Sequence, residues 1–302
     1  MNTSLQALSC IFHDRCDIEI FDLIGVSSNE VELIEFLTRL EGQASIKELY
    51  LSEINGQSIE AIQKIAEIIS HPNNKISKLF LAGWEIASEF RQLTAKINVA
   101  NHLSILDVSH CGISDINSGF LEFSSALIHS NIRELYLDEN QFGDDGAHCL
   151  AVALSQNPSL EILSVKHCKI SSIGMIHLFN ALDQSKLNEN SSYSHSFPQN
   201  ESVVEERIHL KKVNTNLQGL FITDMTLENE NNQIIRDLAL QCASMLMHNF
   251  YLTELDLSGL YFYHHFLYLI ISSIFISHCF SSLLLPLCSV PFSFQLPIRP
   301  IN

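Results

Sequence analysis

Apolar residues return along this chain in one register, apolar-x-x-apolar-x-apolar. It reads IKELYL from Ile46, ISKLFL from Ile76, LSILDV from Leu103, IRELYL from Ile132 and LEILSV from Leu160. It reappears as LQGLFI from Leu217 and LTELDL from Leu252, and more weakly as IEIFDL from Ile18. From Ile18 to Leu160 the starts lie 28, 30, 27, 29 and 28 residues apart. A fixed period of this length marks a repeat architecture. Each unit also continues alike. Asn140, Phe142, Gly146, Leu150 and Leu154 follow one another at intervals of 2, 4, 4 and 4, and Cys168, Ile170, Gly174, Leu178 and Leu182 repeat those intervals. An L-x-L core predicts a short strand with two side chains pointing inward. Apolar residues every four positions, opened by a glycine, predict one face of a helix. Every unit is then a strand followed by a helix, and successive strands must lie parallel. Paired strands sit about 4.8 Å apart, whereas packed helices need about 8–10 Å. Such a stack curves, with its strands on the inside.

These residues resemble the leucine-rich repeat family, in particular the ribonuclease-inhibitor-like type with repeats of about 28 residues. The family's ladder position after the strand holds Asn or Cys, and here it is Cys111, Asn140 and Cys168 in consecutive repeats. Elsewhere it is Ile54, Trp84, Met225 or Leu260, so the outer repeats are degenerate. The resemblance covers residues 18–259. It implies an α/β fold: a curved leucine-rich-repeat solenoid, parallel strands on the concave face and helices on the convex face. Its motifs are specific for the fold and not for function; the expected function, a non-catalytic scaffold that binds a partner protein on that concave face, comes from the net charge and the inner-face residues. Similar arrays include activators of the small GTPase Ran, as well as innate-immune receptors and actin regulators. A regulator of a small GTPase is therefore the competing class, although the catalytic arginine or asparagine of those activators maps onto no residue here.

The period fails twice. Between Leu182 and Leu217 the chain reads DQSKLNENSSYSHSFPQNESVVEERIHLKKVNTN, too polar for a core layer. Residues 183–216 are expected to be a polar insertion: a tolerated surface loop, a regulatory loop with phosphorylatable serines, or a badly decayed repeat. After Gly259 the repeat also stops, and residues 260–302 are expected to form a non-repeat hydrophobic tail. Phe266 to Cys288 carries no formal charge and is long enough to cross a hydrocarbon core of about 30 Å. Five serines, His278 and Pro286 interrupt it, and flanking Lys/Arg is missing. A tail anchor that would make the chain a membrane-anchored adaptor, a misjoined coding end, and a degenerate last repeat with its cap all stay open. Residues 1–17 are expected to cap the other end. They show no secretory signal, because His13, Asp14 and Arg15 break the apolar run, and the expected location is the cytoplasm.

Composition narrows the function. The chain has 302 residues with 34 acidic and 17 basic side chains, a net charge of −17. Phosphate backbones are held by Lys and Arg, so nucleic acid is not expected as a ligand. Eight cysteines show no CxxC pair and read as reduced, buried side chains. Histidine precedes cysteine at His110-Cys111, His148-Cys149, His167-Cys168 and His278-Cys279, but zinc-ligand spacings do not occur. Neither a phosphate loop, a dinucleotide fingerprint, a nucleophile elbow nor an H-E-x-x-H motif is present. No catalytic residue, metal site or cofactor is predicted.

The positions alternating with the inward leucines must face the concave solvent side. The central one holds Tyr50, Phe80, Asp107, Tyr136, Ser164, Phe221 and Asp256. The one before adds Glu48, Lys78, Glu134 and Glu254, and the one after adds Asp138 and Lys166. Aromatics inside a polar rim suit protein anchors. Glu48, Tyr50, Phe80, Asp107, Glu134, Tyr136, Asp138 and Phe221 are the candidate partner-binding residues, for a protein with a basic surface.

Overall fold

The structure is a computed structural model; it describes residue 5 and residues 18–86, 90–114, 119–185, 216–223, 232–257 and 293–295. Eight three-residue strands lie parallel and in chain order in one open sheet. They are β1 (Ile20–Asp22), β2 (Glu48–Tyr50), β3 (Lys78–Phe80), β4 (Ile105–Asp107), β5 (Glu134–Tyr136), β6 (Ile162–Ser164), β7 (Gly219–Phe221) and β8 (Glu254–Asp256). Helices α1 (Glu30–Leu40), α2 (Ile59–Ser70), α3 (Phe90–Ile97), α4 (Phe120–Leu127), α5 (Gly143–Gln156), α6 (Ser172–Leu182) and α7 (Asn232–His248) return the chain between them. This is the curved α/β solenoid that the period predicts. A ninth strand, β9 (Ser293–Gln295), pairs antiparallel with β8 and breaks the parallel order.

Register follows the repeat. Leu49, Leu79, Leu106, Leu135, Leu163, Leu220 and Leu255 stand opposite one another from strand to strand. They are buried, as are Leu51, Leu81, Val108, Leu137 and Val165 two positions on. Helix residues spaced by four close the core from the other side, among them Leu150, Leu154, Leu178 and Leu182. Two glycines set the helix approach. A Cβ on Gly146 would lie 2.5 Å from the Phe142 ring, and one on Gly174 would lie 2.6 Å from both Asp144 Oδ1 and Ile170 Cγ2. Asp144 in turn accepts from the Ser171 and Gly174 amides at 2.7 and 3.1 Å, capping the next repeat's helix.

From Trp84 to Cys168 the ladder position is a row of donors, whereas Ile54 fills it with a buried apolar side chain. Asn140 donates through Nδ2 to Val108 O at 2.9 Å and accepts from the Cys111 and Ile113 amides, both at 3.1 Å. Cys111 Sγ donates to Leu81 O at 3.3 Å, and Cys168 Sγ to Leu137 O at 3.2 Å. Trp84, which looks degenerate in the sequence, makes the same bond with its indole: Nε1 donates to Leu51 O at 2.8 Å. The outer repeat thus keeps the function of the ladder with a different donor. Met225 and Leu260 lie outside the described residues.

Two of the His-Cys pairs, His110-Cys111 and His167-Cys168, have a backbone origin. Glu53, His110, Glu139 and His167 occupy equivalent positions with φ of 56, 53, 57 and 55°, where Gly83 also sits at 82°. The left-handed region tolerates histidine better than most side chains. So His110 and His167 precede the ladder cysteines because of the turn. Among the described residues no group of three or more His, Cys, Asp or Glu could hold a metal ion.

A second polar row escaped the sequence pattern. Asn157 donates to Leu127 O and accepts from the Leu160 amide at 2.7 Å; Asn249 donates to Leu182 O at 2.9 Å and accepts from Leu252 N at 2.8 Å. Asn74 holds the Ile76 amide at 2.9 Å. Asn157 and Asn249 tie a carbonyl at the end of the preceding repeat's helix to the segment entering the next strand, and Asn74 does the same for Ile69 O of its own helix.

Around the insertion, β6 pairs directly with β7, Ile162 opposite Gly219. No described strand stands between them, and residues 186–215, on which the decayed-repeat expectation falls, lie outside the described residues. Asp183 is fully buried and ties the two sides: Ser244 Oγ and Gln241 Nε2 donate to Oδ2 at 2.6 and 3.1 Å, and the Ser185 amide to Oδ1 at 3.0 Å. Residues 186–215 lie outside the described residues, as does Phe266–Cys288. Among the described residues no helix is long and apolar enough to cross a membrane. Of the expected cap, Leu5 is described and is fully buried in the core.

Candidate functional site: the concave face

Because strand side chains alternate, residues beside the buried leucines line the inner face of the arc in three columns. All eight candidates stand there, and the structure sorts them into groups. Glu48, Tyr50 and Phe80 form the first. The Tyr50 and Phe80 rings stack with centroids 4.4 Å apart and planes 5° apart. Glu48 accepts from Tyr50 Oη at 2.8 Å and pairs with Lys78 Nζ at 2.9 Å. Those two bonds, Lys78 first, hold the Glu48 carboxyl below the usual carboxylate range.

Asp107, Glu134, Tyr136 and Asp138 form the second group, on β4 and β5. Tyr136 Oη donates to Glu134 Oε2 at 2.9 Å. Burial, then that carboxylate, push the phenol up to about 12, so it stays a donor. Asp107 accepts from the Ser109 amide at 2.9 Å, and its carboxyl is raised by burial with a further push from Asp138. Asp138 Oδ1 accepts from Ser164 Oγ at 2.6 Å and from the Lys166 amide at 2.8 Å. Those bonds correct one expectation. Ser164 is only 2% exposed and serves the inner face as a support for Asp138.

Phe221 stands apart with Lys166, whose Nζ lies 5.0 Å above its ring centroid, within cation–π range. Lys166 also reaches Asp256 Oδ2 at 3.8 Å. Gly219 makes room for this ring: a Cβ there would sit 3.0 Å from Phe221 Cε2.

The inner face also carries aliphatic side chains outside the eight candidates. Ile20 and Ile24, on the weak first repeat, are 55% and 51% exposed, Ile20 opposite Glu48. Ile105 and Ile162 stand opposite Glu134 on either side. The same alternation rule, applied without a filter on residue type, finds all four.

Comparison with known proteins agrees with the repeat pattern. A Leucine Rich repeat family model matches residues 99–116, 129–151 and 156–179. The chain carries leucine-rich repeats. Over 86 residues it is 34% identical to "NACHT, LRR and PYD domains-containing protein 13" of Homo sapiens, a stretch of 28% of this chain and 8% of that protein. Among solved structures it is similar to leiomodin-1 actin-binding site 2, with a TM-score of 0.36 and 15% identity over 54% of this chain and 79% of that one. An internalin (inlF) of Listeria monocytogenes gives a TM-score of 0.25 at 15% identity, covering 74% and 72%. Both structural likenesses are too distant to bear on function.

Proposed function

We propose that this leucine-rich-repeat solenoid is a non-catalytic scaffold whose concave face binds a partner protein with a basic surface. The observation that carries the reading is the inner face itself. Stacked Tyr50 and Phe80 stand beside Asp107, Glu134, Tyr136 and Asp138 on neighbouring strands. Rigid aromatics supply contact area at low entropic cost, and carboxylates steer a basic partner toward them. Repeats of about 28 residues and the shared role of Cys111, Asn140 and Cys168 support the ribonuclease-inhibitor-like type. The two ladder cysteines act as thiol donors, which suits a reducing compartment such as the cytoplasm.

Affinity capture with the full chain, followed by direct titration of the purified partner, tests the reading. Replacing Tyr50, Phe80 and Tyr136 with Ala should weaken the partner's affinity at least tenfold while the thermal unfolding curve of the array stays cooperative. An unchanged titration would move the binding surface off the concave face. Acceleration of GTP hydrolysis by a captured GTPase would replace the scaffold with a regulator.

A further inference from the structure

Resting on the concave-face reading, the inner surface divides into two chemically different halves. On β1–β3 stand exposed Ile20 and Ile24 and the Tyr50–Phe80 stack. Charge there is sparse: Lys78 pairs with Glu48 at 2.9 Å, which leaves exposed Asp22, accepting from the Ile24 amide at 3.2 Å, as the net charge of this half. This half is an aromatic and aliphatic plate. On β4 and β5 the same columns hold Asp107, Glu134 and Asp138, which bond hydroxyl and amide groups. Beyond them, Asp256 and Glu254 follow with Lys166 as the one cation on β6–β8.

Each half lacks what the other kind of group would supply. The plate carries one net carboxylate, exposed Asp22 on its outer strand, and otherwise offers ring faces and two isoleucines. In the acidic half, burial raises the Asp107 carboxyl and Asp138 raises it further, so a cation seated between them relieves an existing cost. From the plate, centred between β2 and β3, to the acidic centre between β4 and β5 is two strand spacings, about 10 Å. A polyproline-like segment repeats its side-chain direction every three residues at about 9 Å. A regular β-strand offers about 7 or 14 Å on one side, which fits less well.

We propose that the concave face reads an extended partner segment running across the strands. It carries a large apolar or aromatic residue for the Tyr50–Phe80 plate and a Lys or Arg three positions away for Asp107 and Asp138. The partner's charge is thereby a positioned side chain and not only a diffuse basic surface.

The test selects binders from a random-peptide display library on the full chain, then measures the strongest synthetic peptide by fluorescence anisotropy. Enriched sequences are expected to share an apolar residue and a Lys or Arg three positions apart. Selection on Tyr50→Ala with Phe80→Ala should drop the apolar requirement alone. Selection on Asp107→Asn with Asp138→Asn should drop the basic requirement alone. Either pair should weaken the synthetic peptide at least tenfold, with circular dichroism and thermal unfolding showing that both pairs fold. Peptides that need these side chains but show only one requirement, or another spacing, overturn the two-part segment and leave the concave face as the binding surface. Peptides indifferent to both pairs, or a library without enrichment, overturn both. The Asn pair changes charge at nearly constant shape, so its result stands even if the Ala pair loses stability.

Discussion

Leu49, Leu79, Leu106, Leu135 and Leu163 occupy one position of successive strands and are fully buried, while the position beside them runs Tyr50, Phe80, Asp107, Tyr136, Ser164. The first row must fill the same gap between strand and helix in every repeat, and close packing leaves one solution. The second row, apart from buried Ser164, meets solvent, so packing does not choose most of its residues. In a solenoid each repeat contacts only its neighbours. The buried face therefore carries the architecture, and the inner face is free to carry recognition. Substitutions on the two faces of the same strands should differ accordingly.

The largest loss is expected on the buried side. Asn140→Leu strands the amides of Cys111 and Ile113 and the carbonyl of Val108 in a site with no access to water. Each unsatisfied buried group costs about 1–3 kcal/mol, so about 3 kcal/mol or more should be lost in urea unfolding. Asp183→Ala comes next. It removes the acceptor of Ser185, Gln241 and Ser244 and should cost about 2–3 kcal/mol. Hydrogen exchange should place that loss in α6 and α7, whereas uniform exchange would mean that Asp183 does not join the two sides of the insertion. Trp84→Phe puts a smaller phenyl ring in a fully buried site and leaves the Leu51 carbonyl without its indole donor, and should cost about 2 kcal/mol.

On the inner face the effect on stability shrinks while the effect on binding grows. Losing one ring of the Tyr50–Phe80 stack should cost about 0.5–1.5 kcal/mol, measured as a small shift in the urea midpoint. A loss as large as that of Asn140→Leu would erase the distinction between the faces.

Acidity gives the smallest and most specific effect. A partner cation favours ionised Asp107, so binding lowers its pKa from the raised value in the free protein. Affinity should be complete above that raised value and fall as pH drops through it, beginning at a higher pH than for an ordinary carboxylate. Asp107→Asn should abolish that part of the pH profile. A profile that is the same in wild type and Asp107→Asn would place the cation elsewhere.

The period, the alternating leucines and the helix intervals of four were enough to predict parallel strands, outer helices and the curved stack. Repetition multiplies a weak local signal until one fold accounts for it. The candidate site was legible to the extent that alternation assigns side chains to faces: all eight residues stand on the inner one. What alternation cannot show is which neighbours touch. That Tyr50 lies flat on Phe80 some 30 residues away, that Ser164 turns under Asp138, and that Lys166 covers Phe221 depends on side-chain torsions chosen by neighbouring repeats. The sequence also pointed the wrong way at Trp84, because a large aromatic resembles neither Asn nor Cys. Only the stacked repeats place its indole N–H where those side chains put their donors. Sequence by itself determined the repeat, its direction and its curvature, since these follow from residue spacing. Tertiary structure decided the ladder's substitutes, the closure across the insertion and the two halves of the concave face, since each joins groups on different repeats.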